Sequence, residues 1–187
     1  MYTVIEGGVT AATGFATAST AAGIKYKNRK DMALIYSEKP CKAAGTFTTN
    51  IVKAAPVKWD QKIVKESEYA QAVVINAGIA NACTGAEGMG YCAETAAAAS
   101  AALNVPESAV LVASTGVIGM QLPMDKLKAG ITAMAPELSG TIDDVTDSIE
   151  DVLLRLYMFN IRTLRPEAQA FAQVIADCCA ALKTMME

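Results

Sequence analysis

Two apolar runs, residues 72–75 and 109–113, are each followed by a polar, glycine-bearing segment and have the length of buried strands. Two runs nearer the amino terminus, residues 31–36 and 44–49, also predict strands. A turn is expected between these two, at Lys39-Pro40. The amino-terminal part of the chain is therefore predicted to consist of short strands joined by turns.

Three other stretches have helical patterns. Residues 88–103 predict the best-defined helix, because most of them are alanine or other strong helix formers. Thr84 or a residue near it is the candidate N-cap. Residues 124–134 place apolar side chains at helical spacing directly after Pro123, a residue that suits a helix start. Residues 60–69 carry a weaker helical pattern.

The alternation of strands and helices predicts an α/β fold, in the form of an α+β sandwich of mixed sheets and helices. Residues 1–148 are expected to form this domain. Residues 149–187 differ in character and predict two amphipathic helices, residues 151–160 and 167–182, divided at Arg165-Pro166.

The composition excludes several classes of function. Because the chain has no histidine, it cannot hold a Ser-His-Asp or Cys-His catalytic system, and proton transfer must use a carboxylate, a lysine, a terminal amine, water or a partner's residue. A net charge of −3 and an isoelectric point of about 5.1 give no electrostatic footprint for nucleic acid or an anionic membrane. No apolar run approaches the roughly 20 residues that span a bilayer, and the amino terminus lacks a signal-peptide pattern.

The cysteines and acidic residues predict neither a cofactor nor a metal site. Five cysteines with irregular spacing favour reduced thiols in a cytoplasm over a disulfide framework. Asp143, Asp144 and Asp147 do not match the spacing of a calcium loop, and a solvated acidic turn or helix start explains them. The segment from Gly85 to Gly88 precedes a predicted helix but lacks the lysine and the length of a phosphate loop.

The candidate chemistry lies in the two segments that follow the buried strands, residues 76–85 and 113–119. Each places small polar residues and glycine N–H groups at a strand end, where a sheet readily forms a site. Thr115 and Gly116 would offer a hydroxyl and an unobstructed N–H to one oxygen, as an oxyanion hole requires. The alternative is a pair of tight turns that need glycine for its backbone dihedral angles.

Other side chains of interest have simpler explanations. Ser114 is a weak candidate nucleophile, because no base is evident nearby. Cys83 is more simply explained as a small buried packing residue than as a nucleophile. The basic cluster of Lys25, Lys27, Arg29 and Lys30 is best explained as a solvated loop.

Together with other motifs, the two glycine segments resemble the amino-terminal part of the ornithine acetyltransferase family. This family is also called the bifunctional glutamate N-acetyltransferases of arginine biosynthesis. The resemblance is collinear from about residue 2 to about residue 148. The further motifs that carry it are GVTAATG at 8–14, DMALI at 31–35, AGTFTTN at 44–50, APV at 55–57 and LPMD at 122–125.

The resemblance implies ping-pong transfer of an acetyl group from N-acetylornithine, and in some members from acetyl-CoA, to glutamate. In the family, the precursor cleaves itself between an alanine and a threonine. The new N-terminal threonine of the β chain is then the nucleophile, and its own α-amino group can act as the base. The resemblance assigns the Thr115 side chain and the Gly116 backbone N–H to the oxyanion hole. It also implies a cytoplasmic oligomer, a heterotetramer of α and β chains, without a cofactor.

From residue 149 onward the sequence departs from the family pattern. The Met-Thr-Thr-Asp, Met-Ala-Lys-Gly and Ala-Thr-Met-Leu motifs of the family are missing, and the nearest string is KTMM at 183–186. One interpretation is an α-chain portion that is inactive without a separate β chain. The other is a catalytically inactive fragment or re-engineered structural domain, whose C-terminal helices replace the β-chain contact.

Overall fold

The computed structural model describes residues 8–67 and 69–139. The predicted C-terminal helices and the three aspartates at 143, 144 and 147 lie outside the described residues. The described part contains four strands, three α-helices and short 3-10 turns. No helix within it is long and apolar enough to cross a membrane.

A four-stranded mixed sheet forms the centre of the fold, in the order β1-β2-β3-β4. The first three strands pair antiparallel, and β4 pairs parallel to β3. A helical crossover joins β3 to β4, as a parallel connection requires. The strands are β1 (Phe15–Thr20), β2 (Met32–Lys42), β3 (Tyr69–Ile79) and β4 (Val110–Val117).

The helices α2 (Glu87–Leu103) and α3 (Met124–Met134) pack on one face of this sheet. Their apolar side chains form a core with the alternate strand residues Leu34, Val74 and Val110, which are fully buried. The remaining helix, α1 (Ala55–Glu66), contacts β4 and α2. The mixed α/β class predicted from the sequence is confirmed.

The predictions for residues 88–103 and 124–134 are confirmed by α2 and α3, and Leu127, Ile131 and Met134 are buried as the helical spacing requires. The helix predicted at residues 60–69 exists, but it begins earlier, at Ala55. Pro56 stands in its first turn, where the missing N–H of proline costs no hydrogen bond.

Two predictions for the amino-terminal part are wrong. Residues 44–49 form no strand, because most of their side chains are exposed and no pleated neighbour packs against them. The expected turn at Lys39-Pro40 lies inside β2. The pairing register with β3 shifts between Tyr36 and Cys41, and such an irregularity tolerates a proline that cannot donate a ladder hydrogen bond.

The first residues of both glycine segments continue the preceding strands. The tight-turn interpretation is therefore wrong at this point, and both strands end later than expected. β3 continues through Gly78 to Ile79, and β4 continues through Gly116 to Val117, with the two glycines paired across the ladder. Both have positive φ angles, 105° at Gly78 and 134° at Gly116, which L side chains rarely adopt. A Cβ at Gly116 would overlap the backbone of Gly78 and of Ile79, so close approach of the strands also requires glycine.

We expect the substitution Gly116→Ala to lower the free energy of unfolding by at least about 2 kcal/mol, because a methyl group here meets immovable backbone and a strained φ angle. Gly119→Ala is the matched control. Gly119 also has a positive φ, 77°, but open space around it, so only the dihedral cost of about 1 kcal/mol should appear. Equal losses in urea unfolding of the two variants would contradict the close approach.

Candidate functional site

The parallel register of β3 and β4 brings the two predicted glycine segments side by side. Asn76 pairs with Ser114, Ala77 with Thr115, and Gly78 with Gly116. Because parallel strands end at the same edge of a sheet, the polar residues of both segments converge there. The structure therefore assembles into one place the two segments that the sequence marks as candidate chemistry.

A buried amide ties the two strands together at this edge. The Ser114 hydroxyl donates to Asn76 Oδ1 over 2.7 Å, and Asn76 Nδ2 donates to the Ile79 carbonyl over 2.9 Å. Asn76 is 1% exposed, so both hydrogen bonds are shielded from water. The Ser114 hydroxyl is thus engaged with an amide that cannot act as a base, which makes Ser114 a positioning element in this structure.

The hydroxyl of Thr115 and the backbone of Gly116, unlike the Ser114 hydroxyl, are available to bind a ligand. Thr115 is half-buried and Gly116 is exposed. Within residues 8–67 and 69–139, no hydrogen bond engages the Thr115 hydroxyl. A donor without an internal partner, beside an exposed glycine, is free to serve a ligand oxygen.

Strand alternation indicates where the Gly116 N–H points. Backbone groups of successive residues in a strand face opposite edges. Val110 and Val112 direct their carbonyl and N–H, respectively, away from β3, toward side chains of α1, whereas the Val117 carbonyl accepts the Ala80 N–H on the β3 side. Gly116 shares the parity of Val110 and Val112, so its N–H faces the outer edge of β4 and not the ladder.

The segment after β3 anchors α2 and leaves little free chemistry. Asn81 Nδ2 donates to the Gly88 carbonyl over 3.0 Å, and its Oδ1 accepts the Thr84 hydroxyl over 2.9 Å. Thr84 therefore does not cap α2; the N-cap is the nearby residue Ala86, which makes no side-chain hydrogen bond. The expected burial of Cys83 is also wrong, because this residue is exposed and has a positive φ of 56°.

The β1–β2 connection borders the same region and is ordered by one buried carboxylate. Asp31 Oδ1 accepts the N–H groups of Ala22 (2.8 Å) and Gly23 (3.3 Å), and its Oδ2 accepts that of Ile24 (2.6 Å). A Cβ added at Gly78 would meet the Lys25 Cβ, so this loop lies directly against β3 at the site. The rest of the basic cluster is largely exposed, as expected, with Arg29 stacked 3.8 Å from the Tyr26 ring.

A cleft of about 410 Å³ lies along the outer edge of β4. One wall is the backbone of β4, and the others come from residues preceding α1 and from α1 itself. Its lining includes Thr46, Phe47, Thr48, Asp60, Val112 and Ser114. Ser114 immediately precedes the two predicted oxyanion-hole residues, so the cleft leads toward them along the strand.

Burial perturbs two groups beside this cleft. It raises the pKa of the Asp60 carboxyl to about 6, although the hydrogen bond from the Val112 N–H lowers it. The pKa of the Cys92 thiol is raised to about 12, first by burial and then by the negative charge of Asp60. Cys92 is therefore a neutral packing thiol at physiological pH.

No group of three or more histidine, cysteine, aspartate or glutamate residues in the described ranges has the geometry to hold a metal ion. Sequence patterns gave no role to Trp59 or Asp60, whose side chains bind the outer edge of β4, and Asn76 stood out only as the first residue of a glycine segment. Trp59 could have been identified from its indole N–H, because such a group needs an acceptor when it is half-buried. In the structure it donates to the Val110 carbonyl over 3.0 Å.

Comparison with known proteins gives one consistent result. The model of the ArgJ family matches residues 16–154. The bifunctional arginine biosynthesis protein ArgJ of Thermotoga neapolitana is 50% identical over 127 residues, which cover 67% of this chain and 32% of that protein. Its counterpart in Symbiobacterium thermophilum is 51% identical over 137 residues, 72% of this chain and 34% of that protein. The chain thus spans about a third of the length of these curated relatives.

Two crystal structures share the fold. The ArgJ structure from Bacillus halodurans has a TM-score of 0.70 at 39% identity, covering 74% of this chain and 71% of that one. Ornithine acetyltransferase from Mycobacterium tuberculosis, complexed with ornithine, has a TM-score of 0.71 at 45% identity and covers 74% of each chain. The family resemblance stated from the motifs is confirmed.

We expect Asp60→Asn to raise the free energy of unfolding at pH 7.5 by on the order of 1 kcal/mol. This figure is reduced for solvent screening, because Asp60 is only partly buried. The carboxyl has a higher pKa in the folded state, about 6, than its ordinary value of 3.8. Its contribution to stability is therefore present below pH 3.8 and is lost as pH rises through about 6. Asparagine keeps the acceptor for the Val112 N–H without the charge.

Urea unfolding of both proteins between pH 4.5 and 7.5 measures this difference. The gap between Asp60→Asn and the parent chain should narrow as pH falls through about 6. Glu137→Gln removes an exposed carboxylate and serves as the control. A gap independent of pH would show that Asp60 does not titrate in this range.

Proposed function

The chain belongs to the ArgJ family, and we propose that it supplies the oxyanion hole for transfer of an acetyl group from N-acetylornithine to glutamate in arginine biosynthesis. The observation that carries this proposal is the geometry at the end of β4. There the Thr115 hydroxyl, which makes no hydrogen bond within the described residues, adjoins an exposed Gly116, whose N–H faces away from the ladder. Acetyl-CoA is included as an alternative acetyl donor.

The chemistry needs two donors aimed at one oxygen. As a nucleophile attacks the acetyl carbonyl, negative charge develops on the carbonyl oxygen, and donors fixed in advance stabilise this charge without reorganisation. Thr115 would donate through its hydroxyl and Gly116 through its backbone. The close-packed, paired backbone at Gly78 and Gly116 would hold these donors in place.

The nucleophile would come from a partner. We propose a β chain whose N-terminal threonine, released by self-cleavage of a precursor, attacks the acetyl group and uses its own α-amine as base. This route suits a chain without histidine. Coverage also supports it: the matched region is about a third of the curated relatives but 71–74% of the chains in the two crystals, which are therefore less than half as long.

The second face of the sheet is the proposed surface for the β chain. By strand alternation, Ile35, Val73, Ile75 and Leu111 point away from the core that α2 and α3 cover. These side chains are only half-buried, whereas their neighbours Leu34 and Val74 are at most 1% exposed. Thr115 has the same parity as Leu111, so its hydroxyl would lie at the α–β interface. The assembly would be a cytoplasmic heterotetramer.

The alternative, that this chain is an inactive fragment or structural domain, makes a distinct claim. It expects no activity in any assembly, whereas the proposed enzyme is inactive alone and active with a β chain. Reconstitution with a β chain of the family separates the two.

In the reconstituted enzyme, we expect Thr115→Ala to lower kcat by roughly 100-fold or more with little change in KM, because an oxyanion donor acts mainly in the transition state. Thr115→Ser keeps the hydroxyl and should retain most of the activity. Steady-state kinetics with N-acetylornithine and glutamate measure both variants. An unchanged kcat in Thr115→Ala would exclude this residue from the oxyanion hole.

A further inference from the structure

We propose that Trp59 and Asp60 of α1 are positioning residues, which take the place of a neighbouring strand along the outer edge of β4 and thereby fix the Thr115–Gly116 segment. This inference rests on the proposed oxyanion hole. The experiments below give one result if only the positioning role is wrong and a different result if the oxyanion hole itself is wrong. Neither residue would touch the substrate. Both would act through the backbone of β4.

The contacts are made by two consecutive residues on one helix. Trp59 Nε1 donates to the Val110 carbonyl over 3.0 Å, and Asp60 Oδ1 accepts the Val112 N–H over 2.9 Å. These two backbone groups face the same edge of β4, the edge opposite to β3. A donor and an acceptor from α1 thus satisfy groups that an edge strand otherwise leaves unpaired.

The position of the cleft shows where this support ends. The cleft is lined by Asp60 and by Val112, Ala113 and Ser114 of β4, so it begins at the last residue that α1 holds. Gly116 lies about 13 Å beyond Val112 at the usual rise of a strand. The amino-terminal half of β4 is therefore fixed on both edges, while its carboxyl-terminal half keeps an accessible outer edge for a ligand.

The carboxyl group of Asp60 is better explained by a positioning role than by a contribution to stability. Asp60 is partly buried, and burial raises its pKa, so an ionised carboxylate at neutral pH is a costly acceptor. What the backbone of β4 requires from residue 60 is the acceptor for the Val112 N–H, over 2.9 Å, which an amide oxygen can also supply. The cost is consistent with a bond that fixes the location of the Val112 N–H.

The first measurement is backbone amide exchange in the full chain at neutral pH. Asp60→Leu removes the acceptor, and Trp59→Phe removes the indole N–H together with the pyrrole part of the ring. In both, we expect the amides of Thr115 and Val117, which face β3 in the ladder, to exchange roughly tenfold faster. Asp60→Asn keeps the acceptor and should match the parent, as should Lys58→Gln, an exposed position on the same helix.

If faster exchange is confined to Val112 and its immediate neighbours, the effect does not reach the site and the inference is wrong. Trp59→Phe protects the test against misfolding of Asp60→Leu, because its ring still packs against the core. A change of the same size in Lys58→Gln would likewise overturn the inference, since it would reflect general loosening of α1.

The second measurement uses the enzyme reconstituted with a β chain. We expect Asp60→Leu and Trp59→Phe to lower kcat roughly tenfold while KM changes by less than about twofold, and Asp60→Asn to restore kcat. An unchanged kcat, with Thr115→Ala severely impaired, overturns the positioning role alone. An unchanged kcat in Thr115→Ala as well would place the failure in the proposed oxyanion hole.

Discussion

The contact between Gly78 and Gly116 is the constraint on which the rest of the site depends. The two parallel strands approach so closely there that an added methyl group at Gly116 would overlap backbone atoms of β3, and both glycines adopt φ angles that other residues rarely reach. This contact sets the register that places Ser114 opposite Asn76. It also brings the exposed end of β4 beside the loop that Asp31 orders.

The two edges of β4 have different physical characters. On the β3 side, a regular ladder and the buried Asn76 amide hold the strand. On the outer side, two side chains of α1 satisfy the backbone groups of Val110 and Val112, and a cleft follows. The outer edge of β4 is thus bonded to side chains over part of its length and open over the rest. It can present backbone N–H groups to a ligand without leaving the whole edge unpaired.

Much of the fold follows from local sequence signals, and the errors have physical reasons. The alanine-rich pattern and the spacing of Leu127, Ile131 and Met134 specify α2 and α3, because helix propensity and amphipathicity are properties of neighbouring residues. The threonine-rich residues 44–49 suggested a strand, but strand formation depends on a partner that local sequence does not reveal. Glycine at 78 and 116 suggested turns because the cause of the glycine requirement, a second backbone, lies far away in sequence.

For the site, the sequence singled out Thr115 and Gly116 from a strand end, a threonine and a glycine, and the fold places both where these roles are chemically possible. It missed the supporting residues. The hydrogen bond from Trp59 to Val110 joins positions 51 residues apart, and that from Val112 to Asp60 joins positions 52 apart. Only the packing of α1 against β4 creates these pairs. Residues that would contact a substrate are thus easier to identify from a sequence than the residues that hold them in position.

The Trp59 indole has a consequence for observing this molecule. It is the single tryptophan of the chain, and its N–H is bonded to the backbone of the strand that carries Thr115. Indole emission depends on the polarity around the ring and on the hydrogen bond at its nitrogen. The protein therefore carries an intrinsic fluorophore at the edge of β4, which reports optically on the strand as partners assemble or the fold opens, without an attached label.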